Sequence, residues 1–135
     1  MKILVLVLVT FFLTGCFNDD DVNAQAVDST SLGQRTFKEN CAGCHGKAGQ
    51  GLVRDWKKSQ ANGQFPAPPL NGTAHAWHHS PKILLATINN GGAKLGGWMP
   101  GFKNKLSEDE KQGLLDYIYS LWSSKIQQKY DKRFK

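Results

Sequence analysis

The chain is 135 residues long, which is room for one folded domain with an adequate core and not for a second. It carries 17 Lys and Arg against 11 Asp and Glu, a net charge of +6, and 14 glycines. The lysines are scattered from Lys38 to Lys135 with no dense run before the tail, which argues against nucleic-acid binding and leaves a solvated basic surface.

The first stretch, "MKILVLVLVTFFLTGCFNDDD", has one Lys and then an apolar run over residues 3–13. That run is too short and too N-terminal for an ordinary spanning helix and suits a signal sequence over residues 1–15. "LTGC", residues 13–16, follows the run at once and resembles the bacterial lipobox. The resemblance implies cleavage before Cys16, a diacylglyceryl group on its thiol, and a lipid anchor that holds the protein to a membrane in the bacterial periplasm. Each buried methylene of such chains contributes about 0.8 kcal/mol, so several chains on one Cys suffice. Phe17 is not the Asp that retains such proteins at the inner membrane under the enteric-bacterial rule, so the outer membrane is preferred over the inner. "NDDDVNAQAVDSTS" is acidic and poor in large apolar residues, as expected of a flexible tether over residues 16–31.

"STSLGQRTFKEN" places Leu32, Thr36, Phe37 and Asn40 on one side at helical spacing, with Ser29 or Ser31 as the cap. "NCAGCHGKAGQG" follows, with Cys41 and Cys44 the only cysteines besides Cys16. A disulfide across so short a loop stabilises little and leaves His45 unexplained. Zinc would need two further ligands and there is no second Cys pair; a thioredoxin-like pair would need a βαβ context, and strand signals are missing. The pattern Cys-x-x-Cys-His has a reading that uses all three residues. Two thiols at this spacing add across the two vinyl groups on one edge of a haem, and the adjoining imidazole reaches the iron. Such attachment is exported-protein chemistry and agrees with the leader.

Gly46, Gly49, Gly51 and then "NGQFPAPPLNGT" forbid long regular structure and read as a loop wrapped around a filler. "TAHAWHHSPKILLATINNGG" predicts a short helical turn and then a helix with Ser80 as N-cap, Pro81 at its first position and Gly91 stopping it. Leu84, Leu85 and Ile88 face inward. The Gly-rich loop "GGAKLGGWMPGF" holds Met99, the only Met besides Met1. A last helix opens on the capping box Ser107 and Glu110, carries Glu108 and Asp109 in its first turn, and shows the stripe Leu114, Ile118, Leu121 and Trp122. Residues 125–135 are read as a basic C-terminal helical extension or tail, exposed to solvent. No internal repeat is visible.

This order of helix, haem motif, long loop, helix, Met loop and helix resembles class I c-type cytochromes over residues 32–124. The resemblance implies an all-α cytochrome c fold, with three to five short helices wrapped with loops around one covalently attached haem c. In that family a Gly eight positions and an aromatic four positions before the first haem Cys let the first helix cross the last closely; here these are Gly33 and Phe37. Tyr117 is placed to answer them, with Leu114 and Leu121 beside it. Gly33 in a helix otherwise costs about 1 kcal/mol against Ala. "GWMPGF" is similar to the family's Met-Pro-Gly loop and implies Met99 as the second axial ligand to iron. A lone Met is ordinarily a core filler, and His75, His78 and His79 compete with it. They lack a carboxylate or Cys partner, so haem-edge contact, a propionate bond or plain surface are their expected roles. "PPLNG" supplies Pro68, Leu70 and Gly72 of the family's Pro-x-Leu-x-Gly stretch, whose Pro carbonyl accepts from the iron-bound His; the extra Pro69 could shift that register by one. Trp98, with Trp56 and Trp77, is expected as a pocket wall or propionate contact.

With His45 and Met99 both on iron, no small-molecule substrate can bind the metal, which describes an electron carrier and not an enzyme. The expected function is a membrane-tethered periplasmic cytochrome shuttling single electrons between a redox protein donor and acceptor. Lys47, Lys94, Lys103 and Lys105 would steer an acidic partner if they ring the haem edge, with surface solubility the equal alternative. Its rivals are a haem subunit of a respiratory oxidase or reductase complex, a haem enzyme or sensor from which Met99 dissociates, and a lipoprotein redox thiol without haem.

Overall fold

The computed structural model describes residues 28–135. The leader, the lipobox with Cys16 and residues 16–27 of the tether lie outside the described residues. The first helix, α1 (Ser29–Asn40), is capped by Asp28, whose side chain accepts from the Thr30 N–H at 3.3 Å. The cap is therefore neither Ser29 nor Ser31, and the helix starts inside the stretch expected to be tether. Asp serves well here because its carboxylate meets both an orphan N–H and the positive end of the helix.

One turn, α2 (Ala42–His45), follows directly. After a long loop with a 3₁₀ turn at Ala76–His78 come α3 (Pro81–Asn90), a second 3₁₀ turn at Ala93–Leu95, α4 (Glu108–Ser120) and α5 (Ser124–Phe134). There is no strand among the described residues, in keeping with the all-α cytochrome c fold expected. No helix among them is long and apolar enough to cross a membrane.

The core is built where α1 crosses α4. A Cβ on Gly33 would overlap the Gly113 carbonyl, and one on Gly113 would lie 2.6 Å from the Ser29 carbonyl oxygen and 2.9 Å from the Gly33 nitrogen. The two backbones touch there, and side chains close the joint on either side. Phe37 is 1% exposed and its ring lies 5.2 Å from that of Tyr117, with Leu114 equally buried. Gly33, Phe37 and Tyr117 take the places the sequence suggests. Gly113, the other half of the crossing, carries no local signal beyond being a Gly inside a helix.

Local capping behaves as read. The Ser80 hydroxyl accepts from Ile83 N–H with Pro81 at the first position of α3, and Gly91 ends that helix with φ +79°. At α4 the Ser107 hydroxyl accepts from Glu110 N–H at 3.2 Å while Glu110 Oε2 accepts from Ser107 N–H at 2.8 Å. Lys111, one turn in, is 1% exposed. A buried ammonium needs partners, and Nζ finds Glu108 Oε1 at 2.8 Å and the Lys103 carbonyl at 3.2 Å, tying the preceding loop to the helix.

The basic tail, read as exposed, is a separate docked helix. A break at residues 121–123 resets the helical phase, so Ile126, Tyr130 and Phe134 fall on one inward face of α5 and the cations on the other. Tyr130 is 5% exposed, with its ring 4.8 Å from Trp122 and 4.9 Å from Phe134. The Tyr119 hydroxyl donates to Asp131 Oδ2 at 2.8 Å, and Lys135 Nζ lies 3.0 Å from Oδ1. Hydrogen bonds from Lys135 and then Tyr119 hold the Asp131 carboxyl below the ordinary carboxylate range. This fastening is complete at neutral pH, and on the acid side it is lost as Asp131 is protonated, below about pH 4.

Ala exceeds Gly in helix propensity by about 1 kcal/mol, so an unpacked Gly113→Ala helix would gain stability. The crossing reverses that sign: Gly113→Ala should destabilise the fold by about 1–3 kcal/mol in a urea titration. A stabilised variant would show that the backbones do not meet there.

Candidate functional site

The single turn α2 sets the spacing of the Cys-x-x-Cys-His motif. Cys44 N–H and His45 N–H both donate to the Cys41 carbonyl, at 3.1 and 2.9 Å, so Cys41 and Cys44 share one side of the turn. Gly46 stops it with φ +80°, and Gly51 N–H returns to the His45 carbonyl at 2.6 Å. Both cysteines are free and half-buried. Burial, then the neighbouring Cys44, push the Cys41 thiol up to about 11, against a small opposing pull from Lys105. It is therefore a protonated thiol at neutral pH.

His45 is 6% exposed, and its Nδ1 lies 2.9 Å from the Pro68 carbonyl oxygen. A carbonyl only accepts, so Nδ1 carries the proton. The additional Pro69 does not shift the register. Burial holds the ring below the ordinary imidazole range, with the Pro68 bond opposing it. A neutral ring donating from Nδ1 leaves the Nε2 lone pair available to a metal.

Met99 is delivered by the loop between α3 and α4. Gly92 N–H donates to the Met99 carbonyl at 2.9 Å, and Phe102 N–H to the Ile88 carbonyl at 2.8 Å, so the loop is stitched to the end of α3 at Met99 and just beyond it. Gly91, with φ +79°, leaves no space for a Cβ beside the Met99 carbonyl, and a Cβ on Gly92 would sit 3.2 Å from that of Met99.

These pieces enclose one cavity of about 430 Å³, within the usual range for small-molecule and cofactor sites. Cys41, Cys44, His45, Pro68, Leu70, Trp98 and Met99 all line it. Two thiols on one turn, an imidazole with a fixed tautomer, a thioether and apolar walls such as Leu84 and Phe102 are a donor set and shape that fit haem c.

The neighbouring aromatics sort differently from the sequence reading. Trp56 lines the cavity and stacks on His75 at 5.1 Å, and His79 meets His75 edge-on at 5.3 Å, also at the cavity. Trp77 and His78 do not line it; they pack on each other at 3.9 Å, with the Lys129 ammonium 5.9 Å from the Trp77 ring centre. Partial burial, then His79, His78 and Lys57, lower the His75 pKa. Among the described residues no group of three or more His, Cys, Asp or Glu is placed to hold a metal ion. Phe65 (42% exposed) and Leu95 (69%), which no motif singles out, join Trp98 (46%) on the cavity and form an apolar rim. Lys47, Lys94, Lys103 and Lys105 are all exposed.

The sequence model of the family described as cytochrome C oxidase, cbb3-type, subunit III matches residues 28–118. The chain is 29% identical over 106 residues to the Cbb3-type cytochrome c oxidase subunit CcoP of Azospirillum sp. (strain B510), covering 77% of this chain and 33% of the relative. It is 33% identical over 109 residues to the CcoP subunit of Rhodobacter capsulatus, covering 76% and 30%. With the Cbb3-type cytochrome c oxidase subunit FixP of Bradyrhizobium diazoefficiens it shares 29% over 93 residues, covering 69% and 28%. The chain thus spans about a third of the length of these relatives. No solved structure matches it significantly.

Gly91→Ala tests whether the Met loop depends on that close approach. The strained φ and the overlap with the Met99 and Pro100 backbone should lower stability by about 1–3 kcal/mol and shift the Met99 methyl resonance. An unmoved methyl signal in a folded variant would contradict the loop geometry.

Proposed function

Because the chain belongs to the family of cytochrome C oxidase, cbb3-type, subunit III, we propose that it is a haem-carrying electron-transfer subunit docked with a respiratory oxidase. It is a c-type cytochrome by family and all-α by fold. The relatives are named as oxidase subunits, which favours a docked role over the free shuttle expected from the ligand set alone.

The observation that carries this reading is the convergence of Cys41, Cys44, His45 and Met99 on one cavity. Cys41 and Cys44 would hold haem c through thioether links, and His45 Nε2 and Met99 Sδ would be the ligands offered to its iron. Bound there, haem supplies a one-electron couple whose potential a Met ligand raises relative to a second His. The rest belongs to the chain. Pro68 fixes the His45 ring, and the backbone bonds of Gly92 and Phe102 hold the Met99 loop still, so a change of oxidation state needs little ligand movement. The exposed rim of Phe65, Leu95 and Trp98 gives a partner protein an apolar approach to the cavity. With His45 and Met99 both engaged, such a subunit would carry electrons and leave no place at the iron for a small-molecule substrate. A single Cys-x-x-Cys-His supports one haem.

The lipobox supports a lipid anchor on Cys16, with residues 16–27 as tether and the folded part on the periplasmic side. An oxidase partner would place that anchor in the oxidase's own membrane, so the outer-membrane preference drawn from Phe17 is given up.

Met99→Ala should abolish the weak long-wavelength ferric absorption band that reports Met coordination, lower the reduction potential, and let the ferrous protein bind carbon monoxide. Retention of the band would exclude Met99 as ligand. Affinity purification of the full chain from its native membrane should recover oxidase subunits in stoichiometric amount; recovery of the cytochrome alone would return the shuttle reading.

A further inference from the structure

Trp122 lies past residue 118, where the family match ends, yet it reaches the segment that orients His45. It is 4% exposed, and its indole N–H donates to the Leu70 carbonyl at 2.8 Å. Two residues upstream, the Pro68 carbonyl accepts from His45 Nδ1 at 2.9 Å. Pro69 between them has a ring-fixed φ and restricts Pro68 to extended backbone, so the two carbonyls are joined by a stiff connection.

That segment is gripped from other sides as well. Leu70 N–H and Asn71 N–H both donate to the Gly49 carbonyl, at 2.6 and 3.1 Å. A Cβ on Gly72, whose φ is +91°, would come within 3.0 Å of Ile126 Cδ1 and 3.3 Å of Trp122 Cδ1. Residues 68–72 therefore form a short bar with the candidate iron ligand at one end and Trp122 with α5 against the other. Behind Trp122 stand Tyr130, at 4.8 Å between rings, and Tyr119, at 5.6 Å.

We propose that Trp122, backed by α5, is a positioning residue for His45: it holds the Pro68 carbonyl against Nδ1 and thereby sets the basicity of the ligand imidazole and the reduction potential of the iron. This rests on the His45 and Met99 ligation proposed above. A firm Nδ1–H···O=C bond raises ligand basicity and favours ferric iron. Slackening it withdraws electron density and raises the potential.

The test uses the full haem-loaded protein. Trp122→Phe keeps an aromatic ring and removes the N–H. Its potential should rise, changing the reduced-to-oxidised ratio at fixed driving force about tenfold, or about 59 mV for one electron. Solvent exchange of the His45 Nδ1 proton, followed by NMR in the ferrous state, should quicken. Ser107→Ala, which removes the cap at the end of α4 away from Trp122, should lower the thermal midpoint and leave the potential in place. If Trp122→Phe does not load haem, Ile126→Ala, which removes the side chain beside Gly72, should give a smaller rise in the same direction. The proposal is overturned if the loaded variant keeps its His and Met signature with potential and proton exchange unchanged, or if Ser107→Ala shifts the potential as far. A wild-type protein lacking that signature would overturn the proposed function and this inference together.

Discussion

Contact between the Gly33 and Gly113 backbones decides where the rest of this fold can be. A side chain at either position would push α1 and α4 apart, and Phe37 would lose its place against Tyr117. Cys41 follows α1 with no linker, its N–H still bonded to the Phe37 carbonyl at 2.9 Å. The haem motif is therefore rigidly placed by the crossing. At the far end of α4, the same crossing places Trp122 within reach of Leu70.

The wall facing α2 is made differently. Between His45 and α3, and again between α3 and α4, the chain has no long helix and is held by backbone bonds as well as side chains: Leu70 and Asn71 to Gly49, Gly92 to Met99, Phe102 to Ile88. Glycines with positive φ at Gly49, Gly51, Gly72 and Gly91 allow these close returns. Such loops would collapse or fluctuate without something to wrap, and the apolar cavity they enclose supplies the place for it. The chemistry proposed for Cys41, Cys44, His45 and Met99 and the architecture thus need each other.

Charge follows the same division of labour. Lys111 is buried and spends its ammonium on Glu108 and the Lys103 carbonyl, a structural use. The exposed cations of α5 surround an inward aromatic face of Tyr130 and Phe134, and Asp131 on that helix is bound by Tyr119 and Lys135. A net charge of +6 therefore describes no single surface. Part of it stabilises α4, and part solvates a helix whose other face supports the His45 side of the cavity.

Some of this was determined by sequence alone, because its physics is local. Cys41, Cys44 and His45 lie within five positions, and one helical turn fixes their relation whatever surrounds them. The caps at Ser80 and Ser107 likewise need only the next three residues. The Asp28 cap was missed by one position because Ser29, Ser31 and Asp28 are all competent caps and only the start of α1 chooses among them. Periodicity tells which face of a helix is apolar and not what covers it. So the meeting of Gly113 with Gly33, the docking of α5, the separation of His75 and His79 from His78, and the reach of Trp122 to Leu70 were decided only by tertiary structure. Each depends on separate elements excluding water from the same space, a condition that helical periodicity within one element does not contain.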